Sequence, residues 1–104
     1  MDIQIVVKKL NRGYAQCNGP GNYLVKIPQW AMDRSEEYGN YYICHELAHV
    51  QCYELHKTMS HTAEYKKIED AFLADFGLVV TRKKCYPLSV ASFGKVVFES
   101  QNGS

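Results

Sequence analysis

The segment His45-Glu46-Leu47-Ala48-His49 constrains this chain more than any other. On a helix four residues make about one turn, so the two imidazoles share a face, about 6 Å apart along the axis. That separation suits two neutral ring nitrogens holding one Zn²⁺ at roughly 2.0–2.1 Å. Glu46 points beside such a metal. A carboxylate there can take a proton from zinc-bound water and pass it to a leaving amine. The competing reading is a surface helix with two solvated histidines, and the apolar Leu47-Ala48 filling argues against it.

Catalytic zinc takes three protein ligands and one water. His56 continues the face of His49, but it lies roughly 10 Å further along the same helix and reads as a solvated helix-end residue. His61 follows a break at Thr58-Met59-Ser60. It reaches the metal if a second helix folds back on the first. His61 is the first candidate for third ligand, with Glu64 and Glu69 as rivals further along that helix.

The flanking pattern predicts an α+β chain. The motif helix spans about 36–56. A second helix covers about 62–76, with Tyr65, Ile68, Phe72 and Phe76 as its apolar stripe, Ser60 or Thr62 as N-cap and Gly77 as C-terminal cap. Upstream lies a strand region, 3–27. Ile3, Ile5 and Val7 alternate, and Asn18-Gly19-Pro20-Gly21-Asn22 turns segment 13–17 back onto 23–27 as a hairpin that Pro28 ends. Downstream, 78–100 reads as extended, with Val96-Val97-Phe98 a last strand. The expected architecture is a single small zincin-like domain over 1–104. It has a short antiparallel sheet packed on the active-site helix and the second helix.

Composition sets limits around this site. A chain of 104 residues, 46% hydrophobic, holds one core with a thin margin. Twelve Lys+Arg against eleven Asp+Glu exclude a basic nucleic-acid coat. The apolar run near Met1 is too short for a signal peptide, and no stretch approaches the ~18 apolar residues of a membrane span. The expected location is cytoplasmic, with no membrane contact. Cys17, Cys44, Cys52 and Cys85 form no C-x-x-C pair and read as reduced thiols, Cys44 and Cys52 as small hydrophobes. Trp30 reads as core, with a lid over the site as the alternative.

His45–His49, then His61-Thr62-Ala63-Glu64-Tyr65-Lys66-Lys67-Ile68, then Gly77-Leu78-Val79-Val80-Thr81-Arg82 together resemble the SprT-like (Spartan-like) zinc metallopeptidase domain. The strand pair before the helix, Gly13-Tyr14-Ala15 through Leu24-Val25-Lys26-Ile27, is similar too. The resemblance covers about residues 12–87. It implies His45, His49 and His61 as zinc ligands, Glu46 as general base, and a peptidase acting on protein substrates, DNA-bound proteins among them.

The expected mechanism is peptide-bond hydrolysis by a Glu46-activated zinc-bound water, with substrate added as a strand to an exposed edge at 23–27. Tyr86, Tyr53 and His56 are candidates for a donor to the oxyanion, Tyr86 first among them. Asp75 is a candidate to orient a ligand histidine. Arg82, Lys83 and Lys84, with Lys66 and Lys67 nearby, form a candidate DNA-facing patch, the bland reading being a solvated face. The alternative function is a non-catalytic, zinc-stabilised module that binds a protein or DNA.

Overall fold

The computed structural model describes residues 1–82 and 96–99, with 80–82 and 96–99 as backbone. The chain runs β1 (Asp2–Lys8), β2 (Tyr14–Gly19), β3 (Asn22–Pro28), α1 (Gln29–Arg34), α2 (Glu36–His56), α3 (Ala63–Asp75), β4 (Val79–Arg82) and β5 (Val96–Glu99). The class is α+β, as expected. The β2–β3 hairpin forms at the predicted turn, where Gly21 adopts a φ of 69°.

The sheet itself is mixed, which corrects the all-antiparallel expectation. Its order is β1-β3-β2, and β1 runs parallel to β3 with Ile3, Ile5 and Val7 beside Tyr23, Val25 and Ile27. The hairpin fixes the direction of β3. The link at 9–13 is long enough to cross the end of β3 and enter β2, so β1 docks on the far edge of β3 with parallel polarity. Segment 23–27 is therefore the central strand and has no free edge, so it cannot receive a substrate strand. β4 and β5 pair antiparallel as a separate ribbon.

Helix α2 packs against α1, β2, β3 and α3. That explains its irregular apolar spacing. A helix covered on several sides buries more than one stripe, and 11 of its 21 residues are buried. Its ends are well specified. Ser35 accepts from the Tyr38 N–H at the start, and Lys57 closes the end in left-handed geometry. The core is rich in tyrosine: Tyr23, Tyr38, Tyr41, Tyr42 and Tyr65 are all buried. Cys44 and Cys52 pack as small hydrophobes, and burial pushes the Cys44 thiol up to about 12. Trp30 is half-buried against Tyr38 and Tyr42, and its indole N–H donates to the Asn11 carbonyl. It sits on α1, a short helix that the sequence pattern did not disclose.

Gly13 joins sheet to helix. Its N–H donates to the Tyr42 hydroxyl at 2.7 Å. An added Cβ would run into the Lys26 carbonyl oxygen and stand 2.8 Å from the Tyr42 ring. Gly39 meets the Met32 sulfur instead, at 2.9 Å, and that flexible end can yield. Gly13→Ala should therefore lower unfolding stability by about 1–3 kcal/mol in urea titrations. Gly39→Ala should stay near neutral, because a gain in helix propensity of up to about 1 kcal/mol offsets the repacking of Met32.

Candidate metal centre

His45 and His49 project from one face of α2, and α3 folds back across that face. The reversal takes only the residues between Lys57 and Thr62. Thr62 then caps α3 by accepting from the Tyr65 N–H. This brings in His61, whose Nε2 lies 3.1 Å from His49 Nε2 and 3.5 Å from His45 Nε2. Three nitrogens around a tetrahedral zinc at 2.0–2.1 Å stand about 3.4 Å apart. Among the described residues, His45, His49 and His61 form the group able to hold a metal ion. Glu64 is exposed on the first turn of α3 and Glu69 lies behind His45, so neither joins it.

Glu69 does something else. Its Oε2 lies 2.8 Å from His45 Nδ1, and the residue is fully buried. A carboxylate there accepts a hydrogen bond from Nδ1–H, which keeps the proton on Nδ1 and leaves the Nε2 lone pair aimed at the other two histidines. The Tyr65 hydroxyl stands 2.9 Å from both Glu69 Oε2 and the His45 carbonyl oxygen and locks the arrangement. Its ring stacks on His49, with centroids 4.4 Å apart. Glu69 thus takes the orienting role that the sequence reading offered to Asp75, which is exposed at the end of α3. A signal for it existed. Glu69 is one turn past Tyr65 on the inward side of α3, where an ionisable residue needs a buried partner.

Glu46 is 3% exposed, and its Oε1 lies 3.9 Å from His45 Nε2. Its Oε2 and His49 Nδ1 are buried with no hydrogen-bond partner among the described residues. Burial pushes the Glu46 carboxyl up to about 8, with Arg12 pulling it partly back. Burial, with charge repulsion from His45 and His61, lowers His49 to about 3. His49 is therefore held neutral, as a ligand must be.

These groups line an open cleft of about 170 Å³. Gly13, Tyr14 and Ala15 form one wall, with Met59 and Arg12 at the rim. Arg12 escaped the sequence reading because nothing local marks it. His56 is exposed and stands apart from the cluster, and Tyr53 packs edge-on against Tyr23, away from the cleft lining. Tyr86, Lys83 and Lys84 lie outside the described residues, and Arg82 ends β4. Comparisons with protein-family models, curated proteins and solved structures return no match for this chain. No helix among the described residues is long and apolar enough to cross a membrane.

The two shifted groups predict a pH profile for the metal-free protein. His49 binds its proton in the unfolded chain first, so stability falls as pH drops from 6.5 towards 3. Glu46 binds its proton in the folded chain first, so stability falls as pH rises from 4.5 towards 8. Between 4.5 and 6.5 the slopes cancel, which leaves a plateau. Urea titrations across pH should show the plateau with a decline on each side. Glu46→Gln should remove the alkaline decline, and a bound divalent cation, which favours the ionised carboxyl, should flatten it. Glu69→Ala should weaken metal binding about 10–100-fold in chelator competition.

Proposed function

We propose that this protein is a zinc-dependent metallopeptidase of the SprT-like kind, with His45, His49 and His61 as ligands and Glu46 as general base. One observation carries the reading. Three imidazoles converge in an open cleft, with His61 Nε2 3.1 Å and 3.5 Å from the Nε2 atoms of His49 and His45, beside a buried carboxyl whose Oε2 makes no hydrogen bond among the described residues. Neutral nitrogen donors in that number suit zinc, and a catalytic site leaves one position open.

Zinc, when bound, supplies Lewis acidity towards a peptide carbonyl and a water molecule. The chain's own residues do the rest. Glu69 and Tyr65 hold the His45 ring so that its Nε2 stays a donor. Glu46 accepts a proton on its unpartnered oxygen and returns it to the leaving amine. Burial raises the proton affinity of Glu46, and a cation held by the three histidines would favour its ionised form, as a proton acceptor requires. The free edge of β2 runs from the cleft wall, so an extended peptide adds there as a strand and presents its backbone to the site. Arg12 adds a positive charge at the rim.

The competing reading, a zinc-stabilised binding module, has no use for Glu46. A buried carboxyl with an unsatisfied oxygen costs about 1–3 kcal/mol, and a purely structural site gains nothing from it. DNA-associated proteins remain the proposed substrate class only through the resemblance, and single-stranded DNA is a variable of the assay.

The test is zinc content together with peptide cleavage. Wild type should bind about one zinc per chain and cleave an unstructured protein substrate. Glu46→Gln should retain zinc and lose cleavage by about 10²–10⁴. His61→Ala should lose tight zinc binding. Equal cleavage by wild type and Glu46→Gln, or none by either with or without DNA, would refute the peptidase reading.

A further inference from the structure

The two edges of the sheet are guarded differently. β2 carries a register shift between Cys17 and Gly19, at the end away from the cleft, which discourages pairing along its whole length and leaves only the short regular stretch Tyr14–Gln16 for a peptide. β1 has no proline, glycine or bulge from Asp2 to Lys8, and its charged residues stand only at the two ends. Among the described residues it is a regular edge that nothing pairs with or caps.

β1 also bears an uncovered apolar row. Ile3, Ile5 and Val7 are 37%, 44% and 42% exposed. Their partners on β3, Tyr23, Val25 and Ile27, are 2%, 0% and 0% exposed on the same face. The helices that cover β3 therefore stop short of β1, and the core face of the sheet runs out into solvent for one strand's width.

We infer that this edge pairs with a second copy of the chain, β1 against β1 in antiparallel register about a two-fold axis at Ile5. In that register Asp2 faces the other copy's Lys8 at both ends of the ladder. Ile3 faces Val7 twice, and Ile5 faces itself. Faces match only when an odd-numbered residue opposes another odd-numbered one. Shifting by two residues in either direction sets Asp2 against Val6, or Gln4 against Lys8, and shortens the ladder. One register alone pairs all seven residues, joins the apolar rows and neutralises both charges. Neither Asp2 nor Lys8 has an ion-pair partner among the described residues. The result is a self-complementary contact that continues two three-stranded sheets into one of six strands. It leaves the β2 edge and the histidine cluster untouched.

Sedimentation velocity over a range of protein concentrations tests this. Wild type should move between monomer and a species of twice 11.9 kDa. Asp2→Lys, or Lys8→Asp, should weaken dimerisation about tenfold or more, because each puts like charges opposite one another twice. The double variant Asp2→Lys/Lys8→Asp should return to near wild-type affinity. Ile5→Lys, at an exposed position on the two-fold, should abolish dimerisation while circular dichroism and metal content stay unchanged. A wild-type chain that is monomeric at every concentration overturns the proposal, whatever else binds the strand. So does a dimer indifferent to both Ile5→Lys and the charge swap. Neither result touches the peptidase reading, because these variants leave the histidines, Glu46 and β2 intact.

Discussion

A carboxylate with no access to water holds this molecule's two long helices in register. Glu69 on α3 is fully buried, and an isolated charge in that position would be prohibitive. Its oxygen is met by the His45 ring from α2 and by the Tyr65 hydroxyl one turn back on α3. The two helices can slide or rotate only by breaking these bonds together, and breaking a buried pair costs several kcal/mol. Everything at the site follows from that tie. It sets how α3 lies against α2, hence where His61, just ahead of α3, falls, with its Nε2 3.1 Å from His49 Nε2 and 3.5 Å from His45 Nε2.

The tie works because the surrounding core is stiff. Tyrosines fill the space between sheet and helices, and aromatic rings bury much area at little conformational cost. Tyr42 does both jobs. Its ring packs beneath Trp30 and beside His45, and its hydroxyl accepts from Gly13 at the mouth of the cleft. The β2 wall and the helix floor of the cleft are thus joined by one side chain. In a domain this small, a site on loops alone would have no such fixed distance between ligand and wall.

Much of this was legible in the sequence, for physical reasons. The bounds of α2 and α3 follow from breaks and caps that act locally, the break at Thr58-Met59-Ser60 and the cap at Thr62 among them, and the hairpin follows from its glycines. The motif spacing fixes two histidines on one helical face. His61 could be inferred because a short reversal leaves it little else to approach. The rest depends on long-range packing. Parallel docking of β1 on β3, the burial of Glu69 against His45, and the placing of Arg12 at the rim are choices between elements, and no local residue pattern encodes them. Helix α1 escaped because Pro28 reads as an end. Here it serves both as the last residue of β3 and as the N-cap of the next helix.

Site and fold also depend on each other in energy. Two of the three histidines are buried and the third is exposed at the head of α3, so the cluster is half floor and half gate. A domain of about 100 residues has a net stability of only about 5–15 kcal/mol. Within it, Glu46 Oε2 and His49 Nδ1 stay buried without hydrogen-bond partners among the described residues, at about 1–3 kcal/mol each. A metal would recover part of that by stabilising the ionised carboxyl and by tying α3 to α2 at a second point. An apolar residue at 46 would recover it more simply and leave the three imidazoles where they are. The sequence instead keeps a carboxyl group whose Oε2 meets no donor among the described residues. That arrangement destabilises the fold and keeps a titratable side chain on the lining of the cleft, beside the three imidazoles.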